Sequence, residues 1–126
     1  VPERGADCLI AFEASEAVRN IQYLKQDATV IVNKKVVQPV TASLSGKVFD
    51  ADKMIDTLKS VTKNVIPVDT EEACSKLGSA KVVNMVLLGA ACRAGVLDRD
   101  DIQEAVQKLV KPEFYQLNMK ALDFLA

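Results

Sequence analysis

Side chains able to do chemistry are few in this chain and widely scattered. Histidine is absent, which removes the commonest general base near neutral pH and the commonest metal ligand. Cys8, Cys74 and Cys92 are far apart and form no CxxC pair, so no metal site and no iron-sulfur cluster held by this chain alone is expected. An odd number of thiols in apolar or helical sequence fits small buried hydrophobes in a reducing cytoplasm rather than a disulfide framework. Carboxylates gather at Glu71 and Glu72 and again at Asp98, Asp100 and Asp101. Both groups fall where a helix begins and where its dipole favours negative charge. No nucleophile is paired with a base, and no catalytic residue is assigned.

Four polar residues stand out as candidate cofactor-binding positions, and a fifth as a candidate interface residue. Glu13 and Asn33 follow apolar runs, just past the carboxyl ends of two expected strands, the edge where open α/β sheets place ligands. Ser79 and Lys81 open a helix. Ser79 reads as its cap or as a ligand contact, and Lys81 as a solvated lysine or the partner of an anion gathered at the helix amino end. Asn84 is the one polar side chain between Lys81 and Arg93. A buried amide there needs partners, either from neighbouring backbone or across a subunit interface.

The elements that must position these residues follow from periodicity. Residues 7–12 are a short apolar run suited to a strand buried on both faces, and Ser15 introduces helical spacing through Ala17, Val18, Ile21 and Leu24. Lys25, Gln26 and Asp27 read as a polar turn before a β-branched run over 28–32. Strand, helix and strand in this order imply a parallel pair. Beyond Asn33 the pattern loosens into an extended excursion with one short edge strand near Val36 and Val37, since Pro39 removes a ladder donor. Asp50 or Asp52 caps a helix through Met54, Ile55, Leu58 and Val61, and residues 64–69 form a strand whose proline suggests that it lies near an edge or is about to terminate.

Helices fill the remainder. Asp69 or Thr70 starts a short one that stops at Gly78, a suitable left-handed cap. The next, from Ser79 to Gly95, is apolar on nearly every side and so needs cover all round, from its own domain or from another subunit. Asp98 or Asp100 opens a third, and Pro112 stands at the first position of a fourth. The expectation is one α/β domain over residues 1–126, a Rossmann-like open parallel sheet with flanking helices. The chain has no initiator Met and opens on a loop running into what reads as a middle strand, so an amino-terminal strand and helix are expected to be missing.

Composition narrows the function. Sixteen Lys and Arg against seventeen Asp and Glu, interspersed, with 5% aromatics and no Trp, do not describe a nucleic-acid binder. The apolar run falls well short of the ~20 residues that cross a bilayer, so no membrane contact is expected.

The segment GADCLIAFEASEAVRNIQYLKQDATVIVN resembles the central strand-helix-strand of the gamma component of 2-oxoacid:ferredoxin oxidoreductases. KLGSAKVVNMVLLGAACRAGVL is similar to that family's "LGNxKxxNxxxLGAxxxxGxL" segment, and PEFYQLNMKALDF to its closing helix. The branch of greatest likeness is the beta subunit of the indolepyruvate enzymes. The resemblance implies a supporting subunit of a complex that oxidatively decarboxylates 2-oxoacids, here arylpyruvates, to acyl-CoA while reducing ferredoxin. It also implies that thiamine diphosphate and iron-sulfur clusters sit on other components, that coenzyme A serves the complex, and that the partners are the other subunits, with ferredoxin met through them. The family's amino-terminal GxGGQG turn has no counterpart here. A stand-alone nucleotide- or CoA-binding module is the alternative.

Overall fold

The computed structural model describes residues 2–34 and 51–125, which fall into two compact units, Val1–Val68 and Asp69–Ala126. The first is built on three parallel strands, β1 (Ala6–Ala11), β2 (Leu24–Asn33) and β3 (Asn64–Val68), in the order β1-β2-β3. Helix α1 (Ala14–Arg19) and a 3-10 turn (Ile21–Tyr23) join β1 to β2, and α2 (Ala51–Val61) precedes β3. This is the expected α/β class, an open parallel sheet of Rossmann-like type.

Val30, Ile31 and Val32 are fully buried in succession, so the central strand is covered on both faces. That is why its sequence reads as an unbroken β-branched run rather than an alternation. On one face Ala11, Val30 and Val32 pack with Ala14 and Ala17 of α1 and with Ile55 and Leu58 of α2. The three alanines leave room for α1 to lie close to the strands. Thr62, only 3% exposed, closes the layer. Its hydroxyl donates to the Ala28 carbonyl at 2.6 Å and accepts from the Asn64 amide at 3.3 Å, tying the end of α2 to the middle of β2 and the start of β3. Pro67, opposite Val32, lies as expected on a strand that pairs on one side only among the described residues.

Two features differ from the expectation. The helix does not run to Leu24: it ends at Arg19, where the Asn20 side chain donates to the Glu16 carbonyl at 2.7 Å and competes with further helical turns. Lys25, Gln26 and Asp27 are not a turn but the exposed beginning of β2, which already pairs with β1 at Ala6 and Leu24. Lys25 bonds Asp7 on the neighbouring strand at 2.7 Å, so polarity here marks a strand end facing water. The short edge strand near Val36 and Val37, Pro39 and the Asp50 cap lie outside the described residues.

The second unit is helical. Asp69 caps α3 (Thr70–Leu77) by accepting from the Glu72 amide at 3.0 Å, and Gly78 ends it at φ 74°, a conformation glycine adopts without steric cost. A 3-10 turn (Ala80–Val82) leads into α4 (Val83–Arg93), and α5 (Arg99–Leu109) and α6 (Pro112–Leu122) follow. Asp98 accepts from the Asp100 and Asp101 amides, which confirms it as the cap of α5. Helix α4 lies chiefly against α6, with α3 alongside. Their approach is close enough that a Cβ on Gly89 would fall on the Leu122 carbonyl.

A bidentate ion pair fastens the start of α5 to the end of α6. Arg99 Nε and Nη2 each stand 2.6 Å from one oxygen of Asp123. The hydrogen bonds from Arg99 hold the Asp123 carboxyl below the usual carboxylate range. A carboxylate depressed in the folded state contributes stability that is present above its unfolded pKa and is lost as pH falls through its folded value. Asp123→Asn is therefore expected to unfold at a higher pH than the wild type in an acid titration followed by circular dichroism, with the difference shrinking in high salt.

Candidate functional site

The sheet positions the first pair of candidates. Because Ala11 pairs with Val32 in parallel register, Glu13 and Asn33 both come at the carboxyl edge of β1 and β2. Asn33 is 5% exposed, and the amide of the next residue, Lys34, donates to the Val68 carbonyl at 2.9 Å, continuing the pairing with β3. Glu13 is half-buried in extended backbone at the cap position of α1, where its side chain accepts a long 3.4 Å hydrogen bond from Ser15 instead of capping the helix. Phe12, between β1 and Glu13, is 54% exposed. Sequence reasoning placed it inside the buried strand, and no signal in the run separates it from Ala11. The edge thus carries an aromatic ring, a carboxylate and a buried amide, groups that can stack and hydrogen-bond.

Ser79, Lys81 and Asn84 belong to the helical unit. The Ser79 hydroxyl accepts from the Lys81 amide at 3.1 Å, so it is a cap, though of the 3-10 turn rather than of α4 itself. The Lys81 side chain is exposed and makes no ion pair among the described residues. Asn84 is exposed as well, contrary to its expected burial. The reason is helical phase: residues three and four apart share a face. Lys81, Asn84 and half-buried Leu88 form a narrow wet strip, while Met85, Val86, Leu87, Gly89, Ala90 and Ala91 are buried. Cover around α4 is therefore broad and not complete.

The thiols do not suit a cluster or a metal. Cys8 lies on β1, Cys74 on α3 and Cys92 on α4. Burial pushes the Cys8 and Cys92 thiols up, away from the thiolate that ligation needs. Among the described residues no three His, Cys, Asp or Glu side chains converge on a metal position, and no helix is long and apolar enough to cross a membrane.

A family model described as pyruvate ferredoxin/flavodoxin oxidoreductase matches residues 1–124. Among similar proteins, the indolepyruvate oxidoreductase subunit IorB of Archaeoglobus fulgidus is 34% identical over 97% of this chain and 62% of its own length. Its namesakes from Pyrococcus horikoshii and Thermococcus kodakarensis are 30% and 28% identical, each over 98% of this chain and 63% of the relative. The chain therefore spans somewhat less than two-thirds of the length of the curated relatives it matches.

Proposed function

The chain belongs to the pyruvate ferredoxin/flavodoxin oxidoreductase family, and from that premise we propose that it is a supporting subunit of an enzyme that oxidatively decarboxylates a 2-oxoacid. The observation that carries this reading is a likeness running along nearly the whole chain to proteins named as subunits of indolepyruvate oxidoreductase. Indolepyruvate, or another arylpyruvate, is the substrate, acyl-CoA the product and ferredoxin the electron acceptor. A single α/β domain over residues 1–126 is part of this proposal.

The chemistry of the side chains supports a noncatalytic role. Decarboxylation through thiamine diphosphate needs acid-base groups around the cofactor, and electron transfer through iron-sulfur clusters needs clustered thiolates. This chain has no histidine, and its thiols are dispersed. The residues described do not fit a cluster. What the chain supplies is surface. The carboxyl edge with Glu13 and Asn33, and the wet strip of Lys81 and Asn84, are its candidate contacts with coenzyme or with the neighbouring subunit, in a cytoplasmic complex.

Co-expression tests the subunit assignment. The full-length protein, made together with the thiamine-binding subunit of the proposed complex, is expected to elute with that polypeptide as one species in size-exclusion chromatography. Separate elution of the two at micromolar concentration contradicts the assignment.

A further inference from the structure

Arg4, Lys59 and Lys63 are exposed cations with no ion pair among the described residues. Other basic residues of the sheet unit are engaged, Arg19 with Glu16 and Lys25 with Asp7. Arg4, Lys59 and Lys63 border two adjoining grooves at the amino-terminal edge of the sheet, whereas the likewise exposed Lys34 follows β2 at the opposite edge. One, about 420 Å³, lies between Arg4, Gln22 and Gln26 over a floor that includes Leu24. The other, about 480 Å³, continues from Gln26 and Val61 past Lys59 and Lys63 to Asn64. Gln26 and Val61 line both, so the two form one trough.

Its charge is positive on balance. Asp27 is the one carboxylate among the described lining residues, and it acts on Lys25, helping to raise that ammonium's pKa after the larger effect of Asp7. The carboxyl end of α2 adds at most about half a negative charge. Three cations outweigh these, in a chain whose net charge is −1. Arg4 is also held in place: its backbone has φ 55°, outside the usual range for a residue with a Cβ, and its amide donates to the Gln22 carbonyl at 3.0 Å.

We propose that this trough seats an acidic segment of the partner subunit. The inference rests on the subunit assignment and adds the face through which it works. An extended polypeptide fits better than a small anion, because the cations stand at the two ends of a continuous open trough instead of converging on one point. Between them the exposed Gln22 and Gln26 amides can hydrogen-bond a peptide backbone. The trough lies at the opposite edge of the sheet from Glu13 and Asn33, so docking there leaves the carboxyl edge open.

The test measures affinity between the full-length protein and the co-expressed thiamine-binding polypeptide at about 50 and about 300 mM NaCl, a range over which screening of exposed charges changes severely. Arg4→Gln/Lys59→Gln/Lys63→Gln is expected to bind roughly 10-fold more weakly at low salt and with a shallower salt dependence, since rim charges act through steering and long-range attraction. Its thermal midpoint should match the wild type, because none of the three side chains is buried or paired. Lys108→Gln/Lys111→Gln/Lys120→Gln removes equal charge from the helical unit and should bind as the wild type does. Unchanged affinity and salt dependence in the first variant, or an equal loss in the second, overturns the docking face while leaving the subunit assignment standing. A wild-type protein that binds no partner at all contradicts the assignment itself.

Discussion

Gly89→Ala is expected to destabilise the chain by about 3 kcal/mol, at the upper end of what overpacking costs, and to lower its melting temperature by roughly 10 °C. Two effects oppose each other. Alanine is the better helix former by about 1 kcal/mol, so at an open site on α4 the substitution would stabilise. At Gly89 the new methyl meets the Leu122 carbonyl, backbone belonging to another helix. A flexible side chain could turn aside, but the end of α6 can yield only by moving as a whole. That movement would strain the Arg99–Asp123 clamp, since Asp123 follows Leu122 directly. Thermal unfolding by circular dichroism reads the result, and a melting temperature equal to or above the wild type would show that α4 and α6 do not approach so closely.

Leu58→Ala should cost about as much for the opposite reason, by leaving space. Leu58 is fully buried in the layer formed by α1, α2 and the sheet, with Ala14, Ala17, Val30 and Val32 among its cluster. Its immediate surroundings are rich in alanine, which has no longer side chain to swing into a void. Collapse around the cavity is therefore limited, and a loss of about 3–4 kcal/mol is expected within the ~2–5 kcal/mol measured for such truncations. Leu58→Met, which keeps the volume, should lose less than about 1.5 kcal/mol. Urea unfolding of the two variants checks this, and equal midpoints for them would remove cavity formation as the cause.

Local signals carried most of the fold. Asp69, Asp98, Gly78 and Pro112 sit at the helix boundaries their chemistry foretold, because caps depend on a few neighbouring backbone groups. The misreadings of β2 and of Asn84 share a different origin. Helical spacing of Ile21 and Leu24 could not reveal that β2 starts at Leu24, because this is fixed by pairing with Ala6 far away in sequence. Asn84 looked buried among apolar neighbours, yet helix phase together with the packing of α6 leaves it wet.

The site was legible only in part. Parallel register brings Glu13 and Asn33 to one edge, as their positions after two strands suggested. Exposure of Phe12 and the lack of an ion pair at Arg4, Lys59 and Lys63 among the described residues depend on tertiary geometry, and nothing in residue type announces either.

Reconstitution from separately purified components tests the central claim most directly. Indolepyruvate-dependent reduction of ferredoxin, with coenzyme A present, is followed for the full-length protein alone, for the thiamine-binding polypeptide alone, and for the two mixed. Turnover in the mixture, with none from the full-length protein alone and little from the polypeptide alone, is the result expected of a supporting subunit. Turnover by this protein alone, or a rate from the polypeptide that does not change on mixing, would contradict it.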